Sequence, residues 1–134
     1  MKVLFLDIDG VCNSKATFTK RGDYLVIDPY MAFLVGKIQL DTGCEVVLSS
    51  SWRHMPDGIA EVEKQIVKLY DKTGQGKTRG DEVEVWLQQH PKVTRHAILD
   101  DDDDFYPYQP LFLTKWETGL TDEIAAKVVA HLNS

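Results

Sequence analysis

Apolar positions along this chain fall into short solid runs and longer spaced ones. The solid runs are Val3-Leu-Phe-Leu6, Glu45-Val-Val-Leu48, His96-Ala-Ile-Leu99 and Leu111-Phe-Leu113. Runs of this length, closed by small or acidic residues, predict strands buried on both faces, as in a mostly parallel sheet. Between them, apolar residues recur at helical spacing. Asp28 and Pro29 predict a helix N-cap and first helical residue, with an apolar face of Met31, Phe33, Leu34, Ile38 and Leu40 and an end at Gly43. Ile59, Val62, Ile66, Leu69 and Tyr70 predict a second helix. Asp81 opens a third through Val83, Trp86 and Leu87, ended by Pro91, and Thr121 caps a last one with Ile124, Val128, Val129 and Leu132. The stretch from Thr17 to Ile27, centred on Arg21-Gly22-Asp23, predicts a β-hairpin over the end of the first strand. Strands alternating with helices define an α/β class.

Three of the strands run directly into polar residues: Asp7-Ile-Asp9-Gly10, Ser49-Ser-Ser-Trp-Arg53, and Asp100 to Asp104. Ligands of α/β folds bind at the carboxyl ends of the strands. Alternation places Asp7 and Asp9 on one side of an extended backbone. Two such close carboxylates repel unless they share a proton or a cation, and a hard ion such as Mg2+ suits them. Hydroxyls and N–H groups around Ser49 and Ser50 suit a phosphate oxygen. Lys77 and Arg79, in the loop from Thr73 to Gly80, sit before a helix start, where phosphate accounts for cations better than helix electrostatics does. Each feature also has a plainer reading: a strand-ending turn, a serine cap, solvated loop cations, a solvated acidic face. Gly74-Gln-Gly-Lys-Thr looks like a phosphate loop but lacks the spacing and follows no predicted strand, so it is set aside.

Length adds that 134 residues make one domain, 1–134, with a real core. No apolar run reaches membrane-span length, the chain begins directly with a strand, and Cys12 and Cys44 are too few for a disulfide framework. A cytoplasmic protein is the expectation. The net charge of -6 disfavours non-specific binding to nucleic acid or anionic membrane, but leaves room for a nucleic-acid end met by a metal and a few cations.

Taken in order, these strand ends resemble the motifs of the haloacid dehalogenase-like (HAD) phosphohydrolases. Asp7-Ile-Asp9-Gly10-Val11 is similar to the Asp-x-Asp-x-Thr/Val motif, Ser49 or Ser50 to the second, Lys77 or Arg79 to the third, and Asp100-Asp101 to the fourth. Leu-Ser-Ser-Ser-Trp-Arg, Arg79-Gly-Asp-Glu-Val, Ile-Leu-Asp-Asp and Gly119-Leu-Thr also resemble small HAD domains of RNA-repair proteins and the phosphatase half of polynucleotide kinase-phosphatases. The resemblance implies a three-layer Rossmann-like HAD fold with a central mostly parallel sheet, a β-hairpin flap after strand 1 and no full cap domain. It implies a Mg2+-dependent phosphatase with Asp7 as nucleophile and Asp9 as general acid and base. Mg2+ is expected between the Asp7 carboxylate, the Asp9 backbone carbonyl and Asp100 with Asp101, or Asp100 with Asp104. Ser49 or Ser50, and Lys77 or Arg79, would meet the phosphoryl group; the distance to Trp52 favours Ser50 and the sequence context favours Arg79. Gly10, Ser50, Ser51 and Arg53 are expected on the substrate side. Arg53 either contacts a nucleic-acid end or packs beneath the site, and Trp52 belongs to the core.

Asp9 favours phosphatase over dehalogenase, because an ester oxygen leaving group needs a proton and a halide does not. The gaps between motifs are too short for a cap, so an open site suited to large substrates such as polynucleotide ends is expected. A catalytically weak HAD-fold binding or regulatory module is the alternative, disfavoured because it would not need Asp7, Asp9, a serine, a cation and the acidic pair together. A receiver-like phosphoacceptor has its acidic pair ahead of the phosphorylated aspartate, and the order here is the reverse.

Overall fold

The computed structural model describes residues 1–17 and 26–134. Among these residues five parallel strands form one sheet: β1 (Lys2–Leu6), β2 (Glu45–Leu48), β3 (Asp71–Lys72), β4 (Arg95–Asp100) and β5 (Leu111–Leu113), in the order β3-β2-β1-β4-β5. The helices are α1 (Pro29–Thr42), α2 (Pro56–Gln65), α3 (Arg79–Gln88) and α4 (Asp122–Leu132), and a 3-10 helix, Ser51–His54, follows β2. The solid apolar runs are explained by two covered faces. Leu4, Leu6, Val46, Leu48, Ala97 and Leu99 point to one side, against α1, α2 and α4. Val3, Phe5, Val47 and Ile98 point to the other, against Val83 and Trp86 of α3. Phe5 meets Trp86 edge-on at 5.4 Å, and the Trp86 indole donates to Asp71 at 2.8 Å, tying α3 to β3.

The predicted strands lie where the runs placed them, and two helix starts follow their caps. Asp28 accepts from the N–H groups of Tyr30 and Met31, and Gly43 ends α1 at φ 70; Thr121 accepts from Ile124 at the head of α4. Five expectations differ. Phe33 and Leu40 are exposed, at 59% and 84%, and Ala32 and Val35 are buried in their place; α1 is apolar nearly all round, so spacing alone could not choose its inner face. The second helix ends at Gln65. Leu69 and Tyr70 lie beyond it, and the Tyr70 N–H donates to Val46 O on the way into β3, an edge strand too short and polar to be read in sequence. The third helix begins at Arg79, capped by the Thr78 side chain on Asp81 N–H, and not at Asp81. β3 also means that the Gly74-Gln-Gly-Lys-Thr loop does follow a strand. Its Gly76 N–H is nonetheless taken by the Glu82 carboxylate, at 3.2 Å. Residues 15–17 are helical and Val26 and Ile27 lie in no strand, unlike the ends of the expected hairpin; its remaining residues, 18–25, lie outside the described residues. No helix among the described residues is long and apolar enough to cross a membrane.

Candidate active site

The sheet register builds the site. Leu6 pairs with Leu48 on one side and Leu99 on the other. The next residue of each strand, Asp7, Ser49 and Asp100, therefore comes to one level at the carboxyl edge. The ladder continues there: Asp7 N–H donates to Leu99 O at 3.0 Å and Ser49 N–H to Leu6 O at 2.9 Å. Carboxylate oxygens of Asp7, Asp100 and Asp101 all lie within 4.8 Å of one another. Arg79, at the head of α3, closes the group. Its Nη1 lies 3.3 Å from Asp7 Oδ1, 2.9 Å from Asp100 Oδ2 and 3.2 Å from Ser49 O.

One guanidinium does not balance three carboxylates. Burial first, and the charge of Asp100 second, hold the Asp7 carboxyl well above its ordinary range, with Arg79 opposing. Burial also raises Asp100, against Arg79 and the Asp102 N–H. Burial disfavours the Arg79 cation, yet Asp7 and Asp100 outweigh it and raise its pKa. Two buried acids under strain of charge, with a third oxygen donor beside them, form an all-oxygen set that fits a hard divalent cation. Asp101 is held over Gly10: a Cβ on Gly10, whose φ is +84, would lie 2.1 Å from Asp101 Oδ2. The backbone there is pinned by Thr114, whose hydroxyl donates to Gly10 O at 2.6 Å and whose N–H donates to Asp100 O at 2.9 Å.

Asp9 points elsewhere. Its carboxylate accepts from the Trp52 indole, 3.2 Å to each oxygen, and from Asn13 Nδ2 at 3.0 Å. Asn13 also accepts from Gly10 N–H and donates to Val26 O. Trp52 is buried, as expected, yet its indole N–H serves the site. The two serines differ. Ser50 Oγ accepts the Trp52 N–H at 3.1 Å and caps the 3-10 helix, so its own proton is available; Ser49 Oγ is buried without a partner among the described residues. Ser51 is exposed.

Of the two cations weighed in the sequence, Arg79 reaches the carboxylates, whereas Lys77 lies exposed on the preceding loop. Asp104 stays out of the carboxylate group and accepts instead from Arg79 N–H at 3.2 Å; Asp102 and Asp103 are exposed. Arg53 packs beneath the site, donating to Ser50 O at 2.9 Å and pairing with Glu82 at 2.8 Å, both side chains buried. Gly10 N–H is spent on Asn13. Cys12, next to the site, is no alternative nucleophile, because burial and the charges of Asp7 and Asp9 push its thiol pKa well up.

Asn13, Thr114 and Glu82 were not read as site residues. Asn13, four positions after Asp9, carries a faint signal as a turn-forming residue; the other two act across long sequence separations that no local pattern marks. The family model described as "HAD domain in Swiss Army Knife RNA repair proteins" matches residues 3–125, a span that includes every residue of this site. No curated protein and no solved structure matches the chain.

Proposed function

The chain belongs to the family of HAD domains in Swiss Army Knife RNA repair proteins, and on that premise we propose that it is a Mg2+-dependent phosphatase acting on phosphorylated polynucleotide ends. The observation that carries the proposal is the meeting of Asp7, Asp100 and Asp101 within 4.8 Å, with Arg79 bridging the first two. Asp7, Asp100 and Asp101 would hold Mg2+, with the Asp9 backbone carbonyl as a further oxygen. When bound, the ion supplies the positive charge that phosphoryl transfer between anions requires.

The residues then divide the work. Asp7 Oδ attacks phosphorus, forming an Asp7–O–P bond as the bond from phosphorus to the ester oxygen breaks. Asp9 gives its proton to that oxygen. It next takes a proton from water, whose oxygen attacks phosphorus and releases inorganic phosphate and the Asp7 carboxylate. The Trp52 and Asn13 N–H groups fix Asp9 in orientation for both transfers. Arg79 orients Asp7 and meets the phosphoryl charge. Ser50, its oxygen held by the Trp52 N–H, directs its proton at a phosphoryl oxygen, with Ser49 as the second hydroxyl. Neither β3 nor the loop after it forms a cap among the described residues, which supports an open site for a large substrate. Cys12 and Cys44, both free and buried, support residence in a reducing compartment such as the cytoplasm.

The test is phosphate release from an aryl phosphate and from a 3′-phosphorylated oligonucleotide, with Mg2+ and with chelator. Wild type should turn over only with metal, and Asp7→Asn should lose at least about a thousandfold. A folded, Mg2+-binding wild type that hydrolyses neither compound defeats the proposal. Ser50→Ala should cost more kcat than Ser49→Ala; the reverse order moves the phosphate contact to Ser49.

A further inference from the structure

We infer that a recess beside the carboxylates binds a second phosphate, the phosphodiester adjoining the terminal phosphate of a polynucleotide end, an inference that rests on the phosphatase reading above. The recess, about 230 Å³, lies between the 3-10 helix and the head of α3, lined by Ser51, Arg53, His54, Lys77 and Arg79 among others. Two acids also line it, and both are engaged. Glu82 accepts from Arg53 Nη2 at 2.8 Å and from Gly76 N–H at 3.2 Å, and Asp104 accepts from Arg79 N–H at 3.2 Å.

The exposed donors are not so engaged. Lys77 and Ser51 are exposed and have no side-chain bond among the described residues. Among the described residues the His54 ring has a single hydrogen-bond contact, at 3.4 Å, to Gln75. Arg53, 8% exposed, spends Nη1 on Ser50 O and Nη2 on Glu82, and only its Nε has no partner among the described residues. The end of α3 contributes little by itself. The N–H groups of Arg79 and Gly80 go to Asp104, and those of Asp81 and Glu82 to Thr78. An anion here is read by side chains, with Lys77 as the unpaired cation.

Arg79 joins the two sites. Its Nη1 touches Asp7 and Asp100 while the same residue lines the recess, so the recess lies within one arginine residue of the nucleophile. That is a separation comparable with that of neighbouring phosphates on a nucleic-acid strand. A small phosphomonoester would fill only the first site; a strand end fills both.

Initial rates with Mg2+ would be compared for an aryl phosphate, a nucleoside 3′-monophosphate and a dinucleotide carrying one phosphodiester and a 3′-phosphate. Wild type should show a clearly lower KM for the dinucleotide. Lys77→Ala should raise that KM roughly five- to tenfold and make its dependence on log salt shallower by about 0.7. Both kcat and the KM of the two smaller substrates should stay unchanged. Equal wild-type KM for mononucleotide and dinucleotide, or a Lys77→Ala effect of the same size on all three, overturns the second site. No turnover of any of the three overturns the phosphatase reading and the second site with it.

Discussion

At Asp7 the proposed function and stability oppose each other. Folding raises its pKa, so the native state prefers the neutral acid. Metal-free stability from this group is full below the unfolded carboxyl value of about 4 and is lost as pH rises through the higher native value. Asp7→Asn removes that penalty. At pH 7 in chelator it should stabilise the protein by roughly 1 kcal/mol or more while abolishing turnover, and the gain over wild type should shrink as pH is lowered toward 4. A chelated melt in which the variant is less stable at pH 7 would sink this account. Gly10 is constrained twice, by its φ of +84 and by Asp101 against its Cα. Gly10→Ala should cost about 1–3 kcal/mol and, by displacing Asp101, weaken Mg2+ binding; unchanged affinity by calorimetric titration would remove Asp101 from the metal set. The Asp-x-Asp-Gly spacing made Asp7, Asp9 and Gly10 legible in the sequence. It could not show that Asp9 turns to Trp52 and Asn13 while Asp7 turns to Asp100.

Among the elements, α1 separates what pattern reveals from what packing decides. Its caps, Asp28 and Gly43, are local backbone chemistry and were readable residue by residue. Its inner face was not, because apolar residues occur on all its sides and only α4 and the sheet select Leu34, Val35 and Ile38. Ile38→Ala should therefore cost about 2–5 kcal/mol, whereas Leu40→Gln should stay within about 0.5 kcal/mol, measured by denaturant unfolding. Comparable losses at both positions would mean that Leu40 is covered in solution. The head of α3 makes the same point through its cap. Thr78, not Asp81, starts the helix, and this start places Arg79 in the first turn, facing the carboxylates.

For the molecule as a whole, strand order matters most. β1 lies at the centre of the sheet, so the loops after β2 and β4 flank Asp7 on both sides. Burial of the Asp7 and Asp100 carboxylates, which raises both, is a cost to the metal-free fold, and a cation that binds only the native state would reverse it. Mg2+ at a hundred times its Kd should add about 2.7 kcal/mol to unfolding free energy. Thermal midpoints should rise with Mg2+ in wild type and stay flat in Asp100→Asn; an equal rise in both would place the ion elsewhere. By itself, the sequence determined the α/β class, the strand runs, the caps of α1 and α4, and the set of acids, hydroxyls and cations at strand ends. All of these follow from neighbours along the chain, through periodicity and capping. The tertiary structure alone decided which face of α1 is buried, that Asp71–Lys72 forms an edge strand, that Arg79 and not Lys77 reaches the carboxylates, and that Arg53 lies beneath the site paired with Glu82. Those outcomes depend on parallel register and on contacts between residues far apart in sequence, where the free energy belongs to the assembled sheet and helices and leaves no local pattern to read.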